Sequence, residues 1–214
     1  MIFSIFGKLS PKGGMVMKKF WVACLVLVLL SGCAEQNTEP ATKPSEMPEV
    51  PILGRPGDSV AAVVLGDIWA QYEQQERFSV YGGMMTRPVP DAPGDLDLQH
   101  PEAWTVHCRF PTGCLQLAQQ GASMTHLLNG SLFTAVAVRV TDPRAQRVLS
   151  EDWRYALQHS DWSELPPDRL LLSQVGERYL VMAMGSKEYL RTFRQKLLQA
   201  YPSAKIVYDE PITC

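Results

Sequence analysis

The stretch GERYLVMAMGSKEYLRTFRQKLLQAYPSAKIVY, residues 176–208, contains three predicted elements in a row. Residues 178–185 form an apolar run that predicts a buried strand after the Gly176-Glu177 turn. Ser186 is a good helix N-cap, and Pro202 would end the helix that follows. The apolar residues between them recur at helical spacing: Tyr189, Leu190, Phe193, Leu197 and Tyr201. Residues 204–209 predict a last strand, so the segment predicts strand, helix and strand in succession.

The residues before this stretch predict the same order of elements. LFTAVAVRV, residues 132–140, is rich in valine and predicts a strand. Asp142-Pro143 begins a helix whose apolar positions continue to Leu157, and RLLLSQV, residues 169–175, predicts another strand. The complete order, β-α-β-β-α-β, is that of the ferredoxin-like arrangement. The predicted fold class is therefore α+β with a ferredoxin-like C-terminal half.

Both faces of this sheet are expected to be buried. The strand at 132–140 has apolar side chains on its two sides, which is typical of strands covered from both directions. The two helices of a ferredoxin-like unit cover one face only. DSVAAVVLGDIWAQYEQQERF, residues 58–78, predicts a helix from Val60 to Tyr72 with Asp58 or Ser59 as its N-cap. We expect this helix, with the loop region after it, to pack on the sheet and cover the second face.

Two further elements are predicted between residues 100 and 131. AWTVHCRF, residues 103–110, has the composition of a short strand. CLQLAQQGASMTHLLNG, residues 114–130, predicts a helix that ends at Asn129-Gly130, a common C-cap sequence. The Gly- and Pro-rich residues 81–102 predict a long loop.

The N-terminus has the features of an export signal. Lys18 and Lys19 precede eleven apolar residues, 20–30, a run of signal-peptide length and too short to span a bilayer comfortably. Leu30-Ser31-Gly32-Cys33 then resembles the lipobox of bacterial lipoproteins. The resemblance implies that the thiol of Cys33 receives a diacylglycerol, that cleavage occurs just before it, and that the new amine is acylated, typically with palmitate. Residues 1–32 are thus predicted to be a signal peptide whose true start is Met17, with Met15 as the alternative.

The expected lipid anchor is followed by a tether and one domain. Residues 33–57 contain the lipidated cysteine and a Pro-rich segment with few apolar residues, which predicts a disordered spacer. Residues 58–214 are predicted to form a single α+β domain. In lipoproteins of this type an Asp after the cysteine favours retention in the inner membrane. Ala34 stands there instead, which favours the periplasmic face of the outer membrane.

Three cysteines remain after the predicted processing. Exported proteins meet oxidising conditions, so Cys108 and Cys114 are expected to form a disulfide across a turn, with Cys214 as the alternative partner of either. His107 and His126 raise the possibility of a metal site with these cysteines, but the spacing matches no zinc pattern. We therefore predict neither a metal nor a cofactor.

No set of catalytic residues converges in the sequence. The four histidines are scattered, and the carboxylates of residues 142–164 are expected to cap helices or face solvent. Phosphate-binding loops and the G-x-S-x-G motif are absent. Lys187, Arg191 and Arg194 share one predicted helix face, which is either a solvated face or a site for an anionic partner. The prediction is a protein that is not an enzyme.

The charge of the exported part excludes one class of partner. All basic residues before Cys33 are lysines and no acidic residue lies there, so the mature part has 16 basic and 22 acidic residues, a net charge of −6. Binding to nucleic acid phosphates needs a basic surface. Nucleic acid is therefore not an expected partner, and broad electrostatic attraction to anionic lipid is not expected either.

Two functions are consistent with these features. The first is a membrane-anchored envelope lipoprotein that contacts the bilayer through acylated Cys33 and serves in structure or assembly by binding a protein. The alternative follows from residues 176–208, whose strand, Gly-Ser turn, helix and strand resemble the second half of a SPOR domain, although strand Tyr179–Met184 lacks the Val-Gly-Pro ending usual there. That resemblance implies binding to peptidoglycan glycan strands. An envelope hydrolase is the least favoured class.

Overall fold

The computed structural model describes residues 57–162 and 165–213. The predicted signal peptide and almost all of the tether lie outside these residues, as does Cys214. The helices are α1 (Val60–Ala70), α2 (Ala145–Gln158) and α3 (Lys187–Ala200). The strands are β1 (Val80–Gly82), β2 (Val89–Pro90), β3 (Gly94–Leu96), β4 (Ala118–His126), β5 (Phe133–Val140), β6 (Arg169–Val175), β7 (Tyr179–Gly185) and β8 (Lys205–Pro211). Within the described part of the chain, no helix has the length and apolarity needed to cross a membrane.

All strands belong to one eight-stranded antiparallel sheet. Its order is β2-β1-β4-β5-β7-β6-β8, and β3 pairs with β4 beyond the end of β1. The predicted α+β class is confirmed, and each element predicted between residues 132 and 209 is present in the predicted order.

The strand order differs from the ferredoxin-like prediction. In that arrangement the last strand lies beside the first, which would place β8 next to β5. Here β8 pairs with β6, and β4 occupies the free side of β5 through pairs that run from Ala118–Val140 to Thr125–Thr134. A nine-residue strand that is already paired along β5 leaves no edge there for β8.

The position of β8 also decides where the helices lie. The connections β5-α2-β6 and β7-α3-β8 each cross one intervening strand in the same direction, yet β5 and β7 run antiparallel. Two right-handed crossovers of this kind must place their helices on opposite faces of the sheet. α2 is accordingly on one face and α3 on the other, so the expectation that both cover one face is wrong.

Two hydrophobic cores result, one on each face of the sheet. α1 and α3 share the first face, where Leu65, Ile68 and Trp69 of α1 pack with Phe193 of α3. α1 therefore packs on the sheet as predicted, but beside α3. The second core combines α2 with the segment 103–118. The alternation predicted for β5 is confirmed, with Phe133, Ala135 and Ala137 in the first core and Val136, Val138 and Val140 in the second.

Both elements predicted between residues 100 and 131 are wrong. Residues 103–107 form a single π-helical turn and not a strand. The segment predicted as a helix forms a 3₁₀ turn, Thr112–Leu117, and then strand β4. This strand has a glycine at position 121 because the Trp104 ring packs against the backbone there, and any Cβ would overlap the ring. Asn129 ends no helix; its Oδ1 accepts a hydrogen bond from the Ser131 N–H at 2.7 Å in the turn to β5.

Candidate functional site: a basic groove along helix α3

A groove of about 580 Å³ is lined by residues of α3, β6 and β8. Its charged side chains are four basic and two acidic ones: Arg169, Lys187, Arg191, Arg194, Glu188 and Asp209. The formal charge of the lining is thus positive, although the chain as a whole has a net charge of −2. Such a local excess of positive charge attracts an anionic partner.

Helix periodicity places three of the basic residues together. Ser186 caps α3, since its Oγ accepts a hydrogen bond from the Tyr189 N–H at 3.4 Å, as predicted. Lys187, Arg191 and Arg194 follow at intervals of four and three residues, so they project from one side of the helix. The predicted common face is confirmed, and it is exposed.

The inner side of α3 is fixed by a buried lysine. Lys196 is 4% exposed, and its Nζ donates to Glu76 Oε2 at 2.6 Å. The same ammonium group lies 5.9 Å from the centre of the Tyr72 ring. The hydrogen bond from Lys196 lowers the pKa of Glu76 below its ordinary value. This pair ties α3 to the segment after α1 and so orients the basic face outward.

The charges in the groove are only partly neutralised. The Asp209 carboxylate is 2.8 Å from Arg169 Nη2 and 3.3 Å from Arg194 Nε, so one acidic group is shared by two guanidinium groups. Among the described residues, neither Lys187 nor Arg191 has a salt-bridge partner. These two side chains are therefore available to carboxylates of another molecule.

Strand β8 forms one wall of the groove and is an edge of the sheet. Its position is fixed from the other face by Glu210, which accepts hydrogen bonds from Arg154 Nε at 2.5 Å and Arg154 Nη2 at 3.1 Å. Val207 is an extra residue between the pairs Leu172–Tyr208 and Ser173–Ile206, which makes a β-bulge. A bulge and an exposed lysine, Lys205, obstruct pairing with a further strand. The groove thus favours recognition by side chains over strand addition.

Comparison with known proteins gives no match: no family model, no curated protein and no solved structure is similar to this chain. The groove and the sequence features are therefore the basis for assigning a function.

The two described cysteines do not form a reactive site. Burial raises the pKa of Cys108 to about 12, and burial together with Asp152 raises the pKa of Cys114 to about 12. The Cys114 thiol donates to Asp152 Oδ2 at 3.2 Å. Both thiols are free in the structure, so it does not contain the predicted bridge. Their pairing in an oxidising compartment stays a prediction, while Cys33 and the alternative partner Cys214 lie outside the described residues.

The two histidines considered as metal ligands, His107 and His126, lie in different surroundings. His107 is exposed, whereas His126 is buried and stacks on Phe78 with 5.5 Å between ring centres. Burial lowers the pKa of His126. In residues 57–162 and 165–213, no three potential ligands cluster to hold a metal ion.

Sequence reasoning found three of the basic groove residues and missed Arg169. Helix periodicity reveals Lys187, Arg191 and Arg194, which are local neighbours. Arg169 reaches the groove because it begins β6, and Asp209 reaches it because β8 pairs with β6. That pairing is a long-range contact for which the sequence carries no local signal.

Proposed function

We propose that this protein is a membrane-anchored lipoprotein of the bacterial envelope whose domain binds an acidic partner protein through the basic groove and has no catalytic role. The observation that carries the proposal is the groove itself. Four basic and two acidic side chains line it, and Lys187 and Arg191 have no salt-bridge partner among the described residues. Complementary charge of this kind speeds association and selects the partner.

The anchor is supported by the sequence. Paired lysines, a short apolar run, the small pair Ser31-Gly32 and Cys33 occur in the order that lipoprotein processing requires. Two or three acyl chains give persistent attachment, because each buried CH₂ contributes about 0.8 kcal/mol. The proposed location is the periplasmic face of the outer membrane.

A non-catalytic role is supported by the state of the possible nucleophiles. With pKa values of about 12, the thiols of Cys108 and Cys114 are protonated at neutral pH and are poor nucleophiles. Both are also buried, out of reach of a substrate.

Reversing charge in the groove is expected to weaken partner binding by roughly tenfold, because Arg191→Glu replaces an attraction by a repulsion. Arg144→Glu, at the exposed start of α2, makes the same charge change outside the groove and should leave binding unchanged. A photo-crosslinking amino acid at Lys187 in living cells captures the partner, and the yield is compared between the two variants. Equal yields in both would contradict the proposed site.

The alternative function, binding of peptidoglycan by a SPOR-like domain, has less support. Both faces of the sheet are covered by helices, so neither is open to a glycan strand. Sedimentation of the protein with purified peptidoglycan tests it directly. Strong co-sedimentation that persists in Arg191→Glu, without any crosslinked protein, would favour the alternative.

Cys33→Ser is expected to abolish lipidation and leave an uncleaved precursor, because the hydroxyl cannot accept the diacylglycerol. Cys24→Ser, within the apolar run, is the matched control and should be processed normally. Mass spectrometry of the N-terminus distinguishes the two. An unmodified Cys33 in the wild-type protein, or cleavage at another position, would disprove the anchor.

A further inference from the structure

One end of the sheet exposes an unusual number of apolar side chains. We call it the turn end, since residues 127–132 connect β4 to β5 there. The exposed apolar residues are Met85, Val106, Leu127, Leu128, Leu132 and Leu165, of which Leu128 is 85% and Leu165 82% exposed. Met85 and Leu127 line one cavity, whereas Val106 and Leu165 line another together with residues 129–131. These two linings place four of the side chains around the turn end, and Leu128 and Leu132 belong to the turn itself. Exposed apolar side chains gathered at one end of a domain, and not scattered singly over it, indicate an interaction site.

A polar cleft of about 500 Å³ opens among these apolar residues. The guanidinium group of Arg109 lies in it, 4.7 Å from the centre of the Trp162 ring. The hydroxyl of Ser131 and the amide of Asn129 also line the cleft. Within the described part of the chain, Arg109 forms no salt bridge. The cleft therefore offers a cation and hydrogen-bond donors beneath an apolar rim.

The backbone at Arg109 has an unusual conformation. Its φ is 50°, in the left-handed region that residues with a side chain rarely adopt. Strained residues of this kind cluster at ligand sites, where the surrounding structure holds them in place. Here the neighbours on both sides, Cys108 and Phe110, are buried and fix the segment, so Arg109 is directed into the cleft.

We infer that the turn end rests on the surface of a phospholipid bilayer, with the apolar side chains entering the boundary of the acyl chains and Arg109 binding a lipid phosphate. The inference rests on the proposed anchor, which keeps the domain near the bilayer. A planar guanidinium group matches the geometry of a phosphate group, to which it can donate two parallel hydrogen bonds. A bilayer is the occupant because the proposed anchor already holds the domain at a bilayer, where each buried apolar side chain adds to the binding.

The path of the chain agrees with this orientation. The Gly57 N–H donates to the Pro93 carbonyl at 3.2 Å, just before β3. β3 pairs with β4 at Ser123, only four residues from Leu127, or about 13 Å along a strand. The tether thus joins the domain on the same edge of the sheet as Met85 and Leu127. Tethering raises the local concentration of the bilayer, so a weak contact suffices.

Depth measurement on the anchored protein tests the inference. The acylated protein is placed in nanodiscs of phosphatidylethanolamine and phosphatidylglycerol, with a fluorophore on Leu128→Cys or Val148→Cys in a Cys214→Ser background. Val148 is exposed near the opposite end of the sheet, where Gln146 of the same helix bonds the Gly176 carbonyl. Quenching by lipids that have a nitroxide below the headgroup should be at least threefold stronger at 128 than at 148.

Arg109→Asn tests the phosphate contact separately, because asparagine tolerates the left-handed backbone but has no guanidinium group. We expect it to lower quenching at 128 by at least twofold, with unchanged melting temperature. Equal quenching at 128 and 148 while mass spectrometry shows intact acylation of Cys33 would overturn the inference and leave the anchor standing. If the fluorophore at position 128 is quenched as strongly in Arg109→Asn as in the protein that keeps Arg109, the role of Arg109 is disproved.

Discussion

A fragment that begins at Asn129 is expected to remain unfolded under conditions in which residues 57–214 fold. This fragment lacks α1 and β1–β4, so the first core is uncovered and β5 loses its pairing with β4. Burial of one large apolar side chain contributes about 1.5–3 kcal/mol, so Leu65, Ile68 and Trp69 together contribute roughly 5–9 kcal/mol. The whole stability of a typical domain is only about 5–15 kcal/mol. Losing these three residues therefore removes a large part of it, and the fragment also loses the strand pairs between β4 and β5.

Circular dichroism and urea denaturation of both fragments check this expectation. Residues 57–214 should give one cooperative transition, and the shorter fragment should give none. The fragment that lacks only residues 1–56 is the proper reference, because it keeps every described residue of the two cores. If residues 129–214 melt cooperatively at the temperature of the longer fragment, α1 and β4 are not needed by the fold.

Trp153→Ala is expected to lower the free energy of unfolding by about 3–5 kcal/mol, the range for removing a buried tryptophan. Trp153 is fully buried at the centre of the second core, and its ring lies 4.9 Å from that of Phe110. Its Nε1 donates to the Cys108 carbonyl at 3.1 Å, so the substitution also leaves a buried acceptor without a partner. This single side chain joins α2 to the segment that contains both cysteines.

The matched control for Trp153 lies two residues along the same helix. Tyr155 is 63% exposed, so Tyr155→Ala removes an aromatic ring from α2 without opening a cavity. It should change the free energy of unfolding by less than about 1 kcal/mol. Urea denaturation of the three proteins measures the difference. A loss below about 1 kcal/mol in Trp153→Ala would mean that the second core does not depend on this contact.

Local patterns were sufficient for the individual elements of the C-terminal half, though not for their order in the sheet. The strand at 132–140 was predicted with its two faces assigned, because side chains alternate in any strand regardless of its neighbours. Ser186 was predicted as an N-cap, and Ser59 was one of two candidates with Asp58; an N-cap requires only the first turn of its own helix. Lys187, Arg191 and Arg194 were placed together for the same reason.

Local patterns failed for β4. Its sequence AQQGASMTH combines small and polar residues, yet six consecutive residues, 121–126, are buried. A strand covered on both faces loses the polar alternation that would identify it. Gly121, which lies within the segment predicted as a helix, is explained by the Trp104 ring that packs on it.

Local sequence was enough to establish the succession of strands and helices from residue 132 onward, and to predict an export signal with a lipid at Cys33, since each depends on neighbours in the chain. Long-range packing is what pairs β4 with β5, leaves β8 beside β6, and brings α3 to the face of α1. It likewise brought Arg169 and Asp209 to the basic residues of α3, and Arg109 to the exposed leucines of the turn end. The physical reason is the same throughout. Strand pairing is chosen by burial and backbone hydrogen bonds between residues far apart in sequence, and a local pattern contains no record of which edge remains free.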